Sequence, residues 1–112
     1  MESSPEAVIF QLIYESRASR DFSESEIEAL LAASRSANER RGITGILLYR
    51  HGLFTQVLEG PEIEIRSLLE KISRDPRHTG LAIRLEQQIP IRSFPNWSMA
   101  YSRKELSDYL KR

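Results

Sequence analysis

Three uncharged polar side chains, Tyr14, Asn38 and Gln56, stand where the surrounding pattern asks for aliphatic ones. In VIFQLIYE, Val8 to Glu15, the even positions are Val8, Phe10, Leu12 and Tyr14, so an extended chain places the phenol on a face with three apolar residues. In LFTQVLEG the same alternation sets Gln56 between Phe54 and Leu58. A helical stripe of Ile27, Leu30, Leu31, Ser34 and Asn38, at steps of three and four, ends in a carboxamide. An unpaired buried polar group costs about 1 to 3 kcal/mol, so these groups need partners. Two readings compete. One is a satisfied core network of Tyr, Gln and Asn bonding to one another and to backbone. The other is a slot for a flat heteroaromatic ligand, whose edge offers donors and acceptors and whose faces need apolar walls.

The elements that position these groups follow from local signals. Val8–Glu15 reads as a largely buried strand, and Ser23 with Glu26 has the spacing of a capping box, with Phe22 and Ile27 as its hydrophobic staple. The helix that starts there ends at Gly42 by a left-handed cap. ITGILLY and LFTQVLEG, joined at His51 and Gly52, predict a hairpin with an exposed turn histidine. Gly60 and Pro61 lead into a second helix with the stripe Ile65, Leu68, Leu69 and Ile72, which Asp75 and Pro76 end. LAIRLEQQIPI is a weaker strand, placed at an edge by Pro90. After the loop with Phe94, Pro95, Asn96 and Trp97, WSMAY predicts a short last strand. The tail SRKELSDYLKR predicts a short helix presenting Leu106, Tyr109 and Leu110.

The order strand, helix, strand, strand, helix, strand matches a ferredoxin-like split βαβ arrangement. The fold class is therefore α+β, a sandwich of two helices on one face of a five-stranded mixed sheet, followed by a short C-terminal helix. Strands one and three become neighbours in this topology, so Tyr14 and Gln56 can meet. Apolar residues on the second face, Ile9, Ile13 and Ile46, then need cover from the tail or from another subunit, which predicts a homo-oligomer.

Composition narrows the function classes. The chain of 112 residues fits one compact domain. Its 16 basic and 16 acidic residues leave no cationic excess to track a phosphate backbone, so nucleic acid is not expected as a partner. The absence of cysteine excludes a disulfide framework, a thiolate metal site, a nucleophilic thiol and a cysteinyl adduct to a cofactor, and no metal site is expected. No stretch approaches the ~20 apolar residues of a membrane span, and no export signal opens the chain, so a cytoplasmic protein without membrane contact is expected.

Several separated blocks agree in type, order and spacing with one family: IFQLIYESRAS, NERRGITGILLY, FTQVLEGPEIEIRSLLEKISRDPRH and FPNWSM. In these the chain resembles the BLUF domain, a flavin-binding blue-light sensor, over about its first hundred residues. The resemblance implies a division into a flavin-binding domain at 1–101 and a C-terminal helical extension at 102–112. It implies non-covalent FAD, with FMN or riboflavin as variants, and no turnover chemistry.

Carried over by residue, the resemblance makes Tyr14 the electron and proton donor and Gln56 the carboxamide that bridges the phenol to the flavin edge. It makes Asn38 the anchor of the pyrimidine ring. Ser34, on the same stripe, joins the cofactor set. Ile27 and Phe54 would form part of the apolar wall. Arg77 and His78, in the loop after the second helix, would lie near the far end of the flavin, with Asp75 and Lys71 as further contacts. Trp97, Ser98 and Met99 would relay the signal, Trp97 and Met99 being large groups able to exchange places beside Gln56. Rotation or tautomerisation of Gln56 would strengthen its bond to the flavin carbonyl and shift absorption to longer wavelength. The family's second amide or histidine before the anchoring Asn is Ala37 here, and its frequent arginine is Lys71.

Output would then pass to a separate regulatory protein. The competing reading is a light-independent ferredoxin-like interaction or regulatory module, which would need stacking aromatics and basic residues on the open sheet face. A third is a small acyl-phosphate hydrolase, for which Arg17 and Arg20 are a faint version of the anion-cradling loop.

Overall fold

A computed structural model describes residues 8–102, and the predicted tail helix and most of the 102–112 extension lie outside the described residues. The elements run β1 (Ile9–Ala18), α1 (Glu24–Arg41), β2 (Thr44–Arg50), β3 (Leu53–Gly60), α2 (Glu62–Ser73), β4 (His78–Ile89) and β5 (Ala100–Ser102). They form one sheet in the order β4-β1-β3-β2-β5. All neighbours are antiparallel except β2 and β5, so the sheet is mixed and the fold is the ferredoxin-like α+β arrangement.

Local chemistry explains the boundaries. The capping box at the start of α1 is complete: Ser23 Oγ accepts from the Glu26 amide and the Glu26 carboxylate accepts from the Ser23 amide. Gly42 closes α1 at φ 72°. His51 and Gly52 connect β2 to β3 at φ 53° and 76°, the two positive angles that a primed two-residue hairpin turn requires, and His51 is exposed. β4 begins earlier than the apolar pattern suggests, so His78 is its first residue and not part of a loop. Trp97 to Met99 precede the short β5 and do not belong to it.

The main core lies between sheet and helices. Phe10, Leu12, Leu47, Phe54 and Leu58 from the sheet meet Ile27 and Leu31 of α1 and Ile65 of α2. The second face is also buried at its centre. Ile13 and Ile46 pack with Leu48, Val57 and Phe94, so part of the expected cover comes from the chain's own segment after β4. Ile9 is half-buried. Two-residue alternation cannot reveal that closure, because Phe94 reaches the sheet from irregular backbone.

Candidate functional site

An open cleft of about 640 Å³ lies between the sheet and the helices. Tyr14, Leu47, Phe54 and Gln56 form its floor, and Ala29, Leu30, Ala33, Ser34 and Asn38 present the α1 wall. Leu68 and Ile72 of α2 stand opposite, with Asp75, Arg77 and His78 beyond them and Arg20, Phe22 and Glu26 at the start of α1. The volume falls within the range of small-molecule sites, and the lining is mainly apolar with a few convergent polar groups.

Adjacent strands bring the two polar floor residues together. Tyr14 and Gln56 are direct partners in the β1–β3 register. The Tyr14 hydroxyl donates to Gln56 Oε1 at 2.5 Å, and both side chains are buried. Gln56 Nε2 points the other way and lies 3.3 Å from Met99 Sδ. Burial pushes the Tyr14 phenol well above its ordinary pKa, and the nearby Asp75 carboxylate pushes it further, so the group stays protonated at neutral pH.

Asn38 reaches the same region from the last turns of α1, and its Nδ2 donates to the Ser98 carbonyl at 2.9 Å. Arg35, one turn earlier, donates from Nε to the Met99 carbonyl at 2.9 Å. Gly45 on β2 donates its amide to the Trp97 carbonyl at 2.9 Å. A Cβ at Gly45, which sits at φ 154°, would fall 1.8 Å from the Val57 carbonyl oxygen, so only glycine fits this crowded point. Backbone and side-chain bonds thus tie segment 97–99 to both α1 and β2.

The charged part of the cleft is balanced. Arg77 grips Asp75 through Nη2 at 2.5 Å and through its own amide at 2.9 Å, which holds the Asp75 carboxyl below the usual range. Arg20 lies 4.1 Å above the Phe22 ring and pairs with Glu26 at 3.1 Å, and that hydrogen bond lowers the Glu26 pKa. His78 Nε2 faces the Ile72 carbonyl at 2.6 Å, so it carries a proton, and Nδ1 meets the Ser16 hydroxyl at 2.7 Å. The imidazole therefore bridges the end of α2 to β1.

Of the residues singled out from sequence, Tyr14, Ser34, Asn38, Phe54, Gln56, Asp75, Arg77 and His78 line one cleft. Ile27 does not: it is fully buried in the core beneath α1. Lys71 is exposed and also outside the lining. Met99 is buried against Gln56, whereas Trp97 is 40 % exposed and stacks on Phe94 with ring centroids 5.6 Å apart. Sequence reasoning passed over Arg20 and Glu26 as cleft residues, although their six-residue separation across the helix start was visible. It also passed over Ala29 and Ala33, whose small size one turn apart leaves room on the α1 wall.

Comparison with known proteins points to one family. The family model of BLUF, "Sensors of blue-light using FAD", matches residues 9–100. The photoactivated adenylate cyclase subunit beta of Euglena longa is 33% identical over 107 residues, covering 95% of this chain and 12% of that protein. The blue light- and temperature-regulated antirepressor BluF of Escherichia coli is 35% identical over 83 residues, which are 74% of this chain and 21% of that one. The chain thus spans only a small part of the curated relatives it matches.

Among solved structures, the dark state of the BLUF protein BlrB superposes with a TM-score of 0.81 at 36% identity, covering 95% of this chain and 80% of that one. Klebsiella pneumoniae BlrP1 with FMN and cyclic diGMP gives 0.78 at 35% identity, covering 85% and 26%. The chain belongs to the BLUF family of flavin-binding blue-light sensors. The part of the chain that the family model matches, residues 9–100, is the sensor domain.

The residues fit a bound flavin. Apolar side chains from sheet and helices offer two walls, four neutral polar groups, Tyr14, Gln56, Ser34 and Asn38, stand on the floor and the α1 wall, and Arg20 and Arg77 supply the cations that a phosphate-bearing tail would need.

Proposed function

We propose that the chain is a cytoplasmic blue-light receptor that holds FAD in the α1–α2 cleft and switches through Tyr14 and Gln56. The observation that carries this is the 2.5 Å bond between a buried phenol and a buried carboxamide on the floor of an apolar-walled cleft. Leu47 and Phe54 would back the ring system on the sheet, with Leu30 and Ile72 on the helices. Asn38 and Ser34 would meet its polar edge, and Arg20 and Arg77 its phosphates. Residues 1–101 would be the sensing domain and 102–112 a C-terminal extension.

A bound flavin that has absorbed blue light supplies a one-electron oxidant. Tyr14, kept neutral by burial, gives up the electron, and its O–H then becomes strongly acidic. The proton would leave along the bond to Gln56 Oε1 and return to the Tyr14 oxygen when the electron comes back, so the phenol ends as it began and only the Gln56 side chain is changed. Gln56 settles with its donor and acceptor ends rearranged, which changes what it offers to Met99 Sδ. Segment 97–99, tied to Gln56, Asn38, Arg35 and Gly45, carries the change outward.

Output passes by contact to a separate regulatory protein, and a homo-oligomer supports it through apolar groups left exposed, Leu85, Ile91 and Trp97 among them. Light scattering that finds only monomer across the micromolar range contradicts the oligomer. The test of the main reading is spectroscopic. Purified protein should be yellow, and blue light should give a small reversible red shift that Gln56→Leu abolishes. Colourless protein that takes up no added flavin, or an unchanged shift in Gln56→Leu, overturns the reading.

A further inference from the structure

The second face of the sheet holds a charged group that the Tyr14–Gln56 pair does not use. Glu59 is 0% exposed and lies on β3 three residues after Gln56, so its side chain leaves the opposite face. Its Oε1 accepts the Phe94 amide at 2.9 Å. Its Oε2 accepts the Ser93 amide at 3.1 Å and Gln11 Nε2 at 2.7 Å, and Gln87 holds the other end of Gln11 at 2.7 Å. Arg92 adds bonds to the Glu59 carbonyl at 3.0 Å and to Thr44 Oγ1 and the Gly42 carbonyl at 2.8 Å each.

This carboxylate fastens the base of the same segment whose far end meets Gln56. A buried carboxylate is tolerated only when hydrogen-bonded, and bonds from backbone amides to an ionised oxygen are roughly twice as strong as neutral ones. Residues 97–99 are held differently, by neutral carbonyl bonds, by the Arg35 guanidinium at the rim and by a thioether, which is a weak acceptor. A pull from Gln56 therefore meets two bonds to a buried carboxylate at 93–94, and at 97–99 one charge-assisted bond from Arg35 at the rim beside weaker neutral ones.

We propose that Glu59 is a positioning residue, a buried anchor that fixes Ser93 and Phe94 while residues 97–99 move with Gln56. The stretch between the two ends is then the hinge, and the exposed Trp97 is what it displaces. This rests on the reading of Gln56 as the light switch.

Amide hydrogen exchange on the flavin-loaded chain, in the dark and under steady blue light, tests it. The Ser93 and Phe94 amides should be strongly protected in both states, while the Gly45 amide, bonded to Trp97, exchanges about tenfold faster in light. Glu59→Gln keeps the volume but places an N–H among donors. It should keep flavin and the red shift, lose protection at Ser93 and Phe94, and change the dark-recovery rate about fivefold or more. Free exchange at Ser93 and Phe94 in the dark, light-driven exchange there equal to that at Gly45, or recovery of Glu59→Gln at the parental rate each overturns the anchor. Should Glu59→Gln not fold, the exchange pattern of the parent decides. A parent without any red shift refutes the light reading instead, and the anchor then stands or falls on the dark protection of Ser93 and Phe94.

Discussion

The two faces of β3 hold polar groups of opposite character. On the helix side Gln56 joins Tyr14 and Met99, with Asn38 close by, all neutral groups beside a cleft. On the other side Glu59 takes three N–H donors and has no opening to solvent. A carboxamide has a donor end and an acceptor end, so turning it over exchanges its partners at small cost. An ionised carboxylate only accepts, and surrounded by donors it has one good arrangement. One strand therefore carries a group that can present either end to its neighbours and a group with one good arrangement, and the segment 92–99 touches both.

Breaking the fixed side should cost most in stability. Glu59→Ala strands three donors, two of them on the buried residues Gln11 and Phe94, so the free energy of unfolding should fall by about 3 kcal/mol, measured by urea denaturation. Little or no loss would mean the network on that face is not rigid. Met99→Ala, at a residue 2% exposed beside Gln56, should cost about 2 to 5 kcal/mol and also alter dark recovery. Loss of stability with unchanged recovery would make Met99 a filler and not a partner of the switch.

The switch side should show itself at alkaline pH. Tyr14 is held above the ordinary phenol value of 10.0, first by burial and then by Asp75. Stability from the neutral phenol is thus complete below pH 10 and is lost as pH rises above that value toward the folded-state pKa. Ultraviolet titration should show one tyrosine that ionises only as the protein unfolds. Normal ionisation of every tyrosine in the folded chain would contradict the enclosed site. The smallest effect belongs to the surface: Arg74→Ala removes an exposed pair with Glu70 and should change stability by no more than about 0.5 kcal/mol.

Much of the cleft side was legible in the sequence, because its groups lie on regular elements. Period-two alternation put Tyr14 and Gln56 on apolar faces, the capping box set the phase of α1 and hence of Asn38, and strand order made β1 and β3 neighbours. The fixed side was not legible. Ser93 and Phe94 meet Glu59 across 34 and 35 residues, through backbone amides that leave no trace in side-chain pattern. For the same reason the alternation left Ile13 and Ile46 without cover, when Phe94 lies over them. Lys71 and Ile27 show the limit of reading residues by position: one turns to solvent and the other into the core, and neither lines the cleft.

Replacing Tyr14 by Phe addresses the central claim most directly, since it removes one oxygen and leaves the cleft walls in place. Flavin-loaded Tyr14→Phe should hold the parental amount of flavin and show no reversible red shift under blue light. A full parental shift in that variant would contradict the account.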